Sequence, residues 1–214
     1  MTQIQKFWKW FQVNENQIKY AVQLGINSQE VFNNLSIKLG YVSKRIGCLI
    51  SSLENEEKYL IIFTCGGYRK LFSKVTALER EAPCLDLFIP QAFIRPMNEP
   101  QILEQREESF FTFPHYELKM SEVQFTIVNY NTTSKKISIE IAIHNYKELQ
   151  SFDDLYKNMS YLLMEVIGEI NYRKHIKNFE LTDLKENQRG LVHISQLQEC
   201  IDHLYIRKPK NQYP

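Results

Sequence analysis

The stretch Phe63–Leu71, FTCGGYRKL, sets a cysteine and two glycines between an apolar run and a segment with helical spacing. A phosphate cradle, a reactive thiolate at a helix N-terminus and a plain strand-to-helix turn all use such a layout. Spacing removes the first. A P-loop requires G-x-x-x-x-G-K-S/T and a dinucleotide fingerprint requires G-x-G-x-x-G, and neither pattern fits Gly66 and Gly67. A cysteine phosphatase loop places its arginine six positions after the cysteine, whereas Arg69 is four after Cys65 and position 71 is leucine. The thiolate has better support, because backbone N–H groups at a helix start lower a cysteine pKa and Arg69 and Lys70 follow closely. A cysteine nucleophile also needs a base and an orienting group, and no histidine lies nearby in sequence. The alternative is a turn in which Gly66 and Gly67 adopt positive φ and Cys65 packs as a small buried hydrophobe.

An enzyme would therefore have to assemble its site from distant residues, with Cys65, His115, His144 and Glu140 as the candidate catalytic groups. Cys200 and His203 are three apart, with His193 nearby, but a zinc site needs further ligands at compatible geometry, so no metal is expected. Hydrolase signatures such as G-x-S-x-G and H-E-x-x-H are absent. The carboxylate pairs Glu107/Glu108 and Asp153/Asp154 are adjacent in sequence and point apart on helix or strand. No cofactor motif is present.

Two features suit binding. Ile4, Phe7, Trp8 and Phe11 form the stripe of an amphipathic helix, and Trp10 falls about 200° from Trp8. Trp10 should then be more exposed than Trp8 and, beside Lys6 and Lys9, form a contact surface. A partner, a second copy of the chain or a loop of the second half would cover it. The tail carries Arg207, Lys208 and Lys210 with no acid after Asp202, and residues 104–122 hold five glutamates against Arg106 and Lys119; both read first as solvated ends.

The positioning elements follow from periodicity. "NSQE" at Asn27–Glu30 suits a helix start, followed by a face of Val31, Phe32, Leu35 and Leu39. "RIGCLISSL" and "KYLIIFTC" predict a hairpin across "ENEE". Leu71, Phe72, Val75 and Leu78 predict a third helix ending near Pro83, and "CLDLFIP" a short strand. In the second half Val123, Phe125 and Ile127 alternate, as do Ile137, Ile139, Ile141 and Ile143, with a hairpin turn at "NYNTTSKK" and one wet face. Asp153 or Asp154 caps a long helix with the stripe Leu155, Met159, Leu162, Leu163, Val166, Ile167 and Ile170. "KNFEL" suits an edge strand, and Ile194, Leu197, Ile201 and Leu204 a last helix. Strands in hairpin runs argue for an α+β fold with mainly antiparallel pairing: one domain over 1–214, with sub-halves of about 1–96 and 101–214.

The chain has 214 residues, formal net charge +1, and ordinary hydrophobic (43%) and charged (24%) fractions, which give no global attraction to nucleic acid or an anionic membrane. The opening MTQIQKFWKWFQ lacks an apolar signal region, and no apolar run suits a membrane span. Four scattered cysteines read as reduced thiols in a cytoplasmic protein.

Trp8, Trp10, Phe11, Asn14 and Glu15 form a W-x-W-F-x-x-N-E-like helix. With the strand and turn Ile61–Gly67, the Ala82–Pro83 step, Ala92-Phe93 with Pro96, and "IGEINY" at Ile167–Tyr172, the chain resembles a family of uncharacterised bacterial proteins. The resemblance implies an α+β protein without known activity and supplies no catalytic residues. The leading expectation is a non-enzymatic cytoplasmic interaction module, immunity-type or regulatory, that binds another protein. A small enzyme is the alternative, and nucleic-acid binding through the basic tail is disfavoured by the near-neutral charge.

Overall fold

A computed structural model describes residues 1–24, 28–52, 57–96, 110–113, 115–185 and 190–205. Its contacts divide the chain into two units, Met1–Ile94 and Arg95–Pro214. The fold is α+β, and four of the six strand pairs among the described residues are antiparallel.

Unit 1 runs α1 (Gln3–Leu24), α2 (Ser28–Gly40), β1 (Gly47–Ser52), β2 (Tyr59–Thr64), α3 (Phe72–Arg80) and β3 (Phe88–Ala92). Phe7, Trp8, Phe11 and Ile18 of α1 meet Val31, Leu35 and Leu39 of α2, Phe63 of β2, Leu78 of α3 and Phe88 of β3 in one buried cluster. The rings interlock edge-to-face: Trp8 lies 5.5 Å from Phe63 at 90°, and Phe11 lies 5.2 Å from Phe88. Such pairs add about 0.5–1.5 kcal/mol each beyond their burial. The polar end of Trp8 is also satisfied, since Nε1 donates to Leu78 O at 2.9 Å. Glu15, itself buried, accepts from Leu87 N at 2.7 Å, and Asn14 Nδ2 donates to Trp10 O at 2.7 Å.

β1 and β2 form the expected antiparallel hairpin. β3 instead joins β2 in parallel, Tyr59 opposite Phe88, with α3 as the crossover that parallel pairing requires. The strand starts at Phe88, later than "CLDLFIP" suggests, and passes through Pro90. Proline is tolerated there because β3 is an edge of the β1-β2-β3 sheet and its missing N–H interrupts no central ladder.

Unit 2 contains the hairpin β4 (Phe110–Thr112) and β5 (Glu117–Lys119), then β6 (Gln124–Asn131), β7 (Lys136–Ile143), α4 (Tyr146–Leu149), α5 (Leu155–Ile167), α6 (Glu169–His175), β8 (Ile176–Asp183), β9 (Val192–His193) and α7 (Leu197–Tyr205). The larger sheet has the order β8-β7-β6-β9. Ile137, Ile139, Ile141 and Ile143 are all buried and share a core with Met159, Leu162, Leu163, Ile194, Leu197 and Ile201. The opposite face is half-buried at Ser138 and Glu140 but closed at Ala142. β8 is the expected edge strand, again parallel to its neighbour after a helical crossover. Each unit thus contains a hairpin followed by helix and a parallel third strand beside the hairpin's second strand.

The predicted long helix is two helices. Gly168 takes φ 80°, ψ 147°, a conformation nearly closed to other residues, and the chain restarts as α6. The break removes Ile170 from the stripe and leaves it 49% exposed. Asp154 precedes α5 without a side-chain cap bond. Asn27, the basic tail residues Arg207, Lys208 and Lys210, and Glu107/Glu108 lie outside the described residues.

Candidate functional site

Cys65 follows directly on β2 with its side chain in the unit 1 core, 7% exposed. Gly66 and Gly67 follow at φ 58° and 73°, the positive values that the double glycine suggests. Cys65 Sγ lies 3.6 Å from Tyr68 O. FTCGGYRKL is therefore a strand-to-helix turn in which the thiol faces the core.

In unit 2, His115 is exposed with its ring stacked on Phe152 at 5.8 Å. Glu140 stands half-buried on β7, in register with Thr126 and Glu180. His144 is not an outward strand residue: β7 stops at Ile143, and His144 is exposed in the turn before Asn145, whose φ is 56°. Glu140 lies within β7 and His144 beyond its end, four residues on. The three share no hydrogen bond or ring contact among the described residues.

Two further histidines, His193 and His175, have structural partners. His193 Nδ1 accepts from Ser195 N at 3.3 Å, so Nε2 carries the proton toward Met120 O at 3.0 Å. His175 is buried, with Nδ1 3.0 Å from Lys135 O and its ring stacked on Tyr205. Burial depresses the His175 pKa below the ordinary histidine value, the Lys135 carbonyl opposing the shift. Among the described residues no group of three or more His, Cys, Asp and Glu side chains could hold a metal ion.

The binding candidates are in a more informative place. Trp8 is 2% exposed, whereas Trp10 is only partly buried, its ring tilted 6.5 Å from Phe7. Trp10 and Lys6 line a cavity of about 310 Å³ with Gln3, Phe7, Lys38 and Tyr41. Lys9 is exposed and lies outside that lining. Tyr41 also lines a second cavity of about 630 Å³, with Ile37, Lys44, Arg45, Ile46 and Gly47 among its walls. Tyr41 is common to the two hollows, which lie against the N-terminal part of α1, the end of α2 and the entry to β1 and are together called the unit 1 groove.

Local chemistry shapes this groove. α2 ends at Gly40, and the chain turns back through Val42 N and Ser43 N, both donating to Leu39 O. Val42 and Ile46 are buried and pin the loop, and Lys74 Nζ donates to Val42 O at 3.2 Å. The residues between are left outside: Ile37 is 55% and Tyr41 63% exposed. The Arg45 guanidinium carbon sits 4.9 Å from the centre of the Tyr68 ring. Among the described residues four cations line the groove, Lys6, Lys38, Lys44 and Arg45, and no acidic residue does. None of the four makes an ion pair among the described residues.

Sequence reasoning reached Trp10 and Lys6 but missed Ile37, Tyr41, Lys44 and Arg45. The available signal was the same off-stripe argument: Ile37 and Tyr41 are large apolar residues that depart from the Val31/Leu35/Leu39 face. No helix among the described residues is long and apolar enough to cross a membrane. Compared with known proteins, the chain matches no family model, no curated protein and no solved structure.

Proposed function

We propose that the protein is a non-enzymatic binding module of the bacterial cytoplasm, regulatory or immunity-type, and that the unit 1 groove takes an acidic segment of another protein. The observation that carries this reading is the groove lining: among the described residues, four cations outside any ion pair and no acid, with exposed Ile37 and Tyr41 and partly buried Trp10 between them. Charge complementarity steers the encounter and selects against basic partners. The aromatic and aliphatic groups supply the anchors that hold an interface once docked. A nucleic acid would use the cations but gain little from Ile37, and a protein segment alternating Glu or Asp with large apolar residues uses both.

Two further observations support the setting. Cys48, Cys65, Cys84 and Cys200 form no disulfide, as suits a reducing compartment. The motif behind the bacterial resemblance has structural roles here, with Trp8, Asn14 and Glu15 each in a hydrogen bond within unit 1, which suits an interaction scaffold.

The test is titration with a synthetic peptide of alternating Glu and Leu/Phe, an equal-length Lys/Leu/Phe peptide, and a single-stranded oligonucleotide of matched charge, read by Trp fluorescence. The acidic peptide should bind best, with affinity falling as salt rises. Preference for the oligonucleotide would overturn the reading.

A further inference from the structure

Both neighbours of β7 break register at the same level. On β6, Ile127 pairs with Ile139 and Asn129 with Ser138, so Val128 is an extra residue. On β8, Ile176 pairs with Ile137 and Asn178 with Ser138, so Lys177 is an extra residue. A bulge adds one residue and changes where the following side chains point. Here it brings Asn129 and Asn178 into line with Ser138 on the face away from the isoleucine core, and it frees Lys177 from the ladder.

A hollow of about 340 Å³ opens at this level, and its cations are Lys136, Arg173 and Lys177. Among the described residues no acid lines it and none of the three cations is in an ion pair. Glu140 and Glu180 face each other one outward row further along β7 and β8, so the field changes sign there and favours an anion only at the bulged end. Lys136 Nζ is fixed by the carbonyls of Arg173 and Ile176, which hold it in place and leave one ammonium proton. Asn131 Oδ1 accepts from Ser134 N at 2.8 Å, which leaves the Asn131 amide as a donor. Tyr130, 54% exposed, supplies a ring at the rim.

We propose that this double-bulge hollow of unit 2 is a binding site for a small phosphorylated ligand, with Lys136, Arg173 and Lys177 on the phosphate and Tyr130 beside the attached group. The volume suits a small molecule. Three cations line one hollow with no described acid among its walls, which favours an anion there, and the guanidinium fork of Arg173 matches phosphate geometry. Burial followed by the charge of Arg173 lowers the proton affinity of Lys136, the direction expected where cations are crowded together. The site is independent of the unit 1 groove.

Pyrophosphate and a nucleoside diphosphate serve as probes, measured calorimetrically on the full chain at constant ionic strength. Wild type should bind both, and Arg173→Gln and Lys177→Gln should each weaken binding about tenfold, the effect of losing one charge-assisted hydrogen bond. Both side chains are exposed, so thermal melts should stay unchanged and separate lost binding from lost fold. Lys157→Gln, at an exposed cation outside the hollow's lining, should leave these affinities intact. Tighter binding of the nucleoside diphosphate than of pyrophosphate would place the attached group on Tyr130. Absence of saturable binding in wild type, or equal affinity in the Arg173→Gln/Lys177→Gln double variant, would overturn the proposal.

Discussion

Arg45 lies over the face of Tyr68, guanidinium carbon to ring centre 4.9 Å. The stacking costs none of the planar N–H donors and restrains a long side chain that would otherwise lose entropy on binding. A cation over an exposed ring contributes about 0.5–1 kcal/mol. Replacing Tyr68, itself 40% exposed, with alanine should therefore weaken the acidic peptide roughly two- to fivefold while leaving the thermal midpoint nearly unchanged. Unchanged affinity would show that Arg45 is not an anchor.

Ile139 is 2% exposed and stands between Ile127 and Phe179 in the ladder. Ile139→Ala should cost about 2–4 kcal/mol in urea unfolding, from lost transfer energy plus a cavity. A loss below about 0.5 kcal/mol would mean that the isoleucine row does not face the core.

His175 gives stability a pH dependence of defined sign. Burial, the largest effect, depresses its folded-state pKa; Lys174 and Lys136 act in the same direction, against the Lys135 carbonyl and Asp202. The unfolded chain then binds the proton more readily, so the contribution is fully present above about pH 6.5 and is lost as pH falls below it. Urea midpoints should drop between pH 7 and pH 5, and His175→Gln should flatten that slope even if it lowers the plateau. An equal slope in the variant would assign the effect to other groups.

The thiols should separate by environment. Cys84 is exposed, Cys65 is in the core, and burial pushes the Cys48 pKa up to about 12. Because only the thiolate reacts, a maleimide at neutral pH should label Cys84 first and Cys48 and Cys65 slowest, by mass spectrometry of a time course. Fast, selective labelling of Cys65 would restore it as a nucleophile candidate.

Strong periodicity made much of the fold legible. The Ile137–Ile143 alternation and the Phe7/Trp8/Phe11 stripe each require one buried face, so faces and hairpins could be read directly. Parallel pairing of β3 and β8 could not, because partner choice depends on where a crossover helix returns the chain and not on the composition of the strand. The break at Gly168 was hidden because the apolar spacing continues through Ile170. For the site, Trp10 and Lys6 were legible as off-stripe residues. Lys44 and Arg45 were not, since a loop has no periodicity to set their direction. The double bulge at Ser138 depends on register, which single strands do not encode.

Charge reversal tests most directly whether cations of the unit 1 groove recognise an acidic protein segment. Lys44 and Arg45 are exposed, so Lys44→Glu/Arg45→Glu should fold as wild type. Its affinity for the Glu-rich peptide should fall more than tenfold, because two close pairs become repulsive, while the Lys-rich peptide should gain affinity. If the double variant binds the acidic peptide as wild type does, with the same salt dependence, the groove is not the recognition surface.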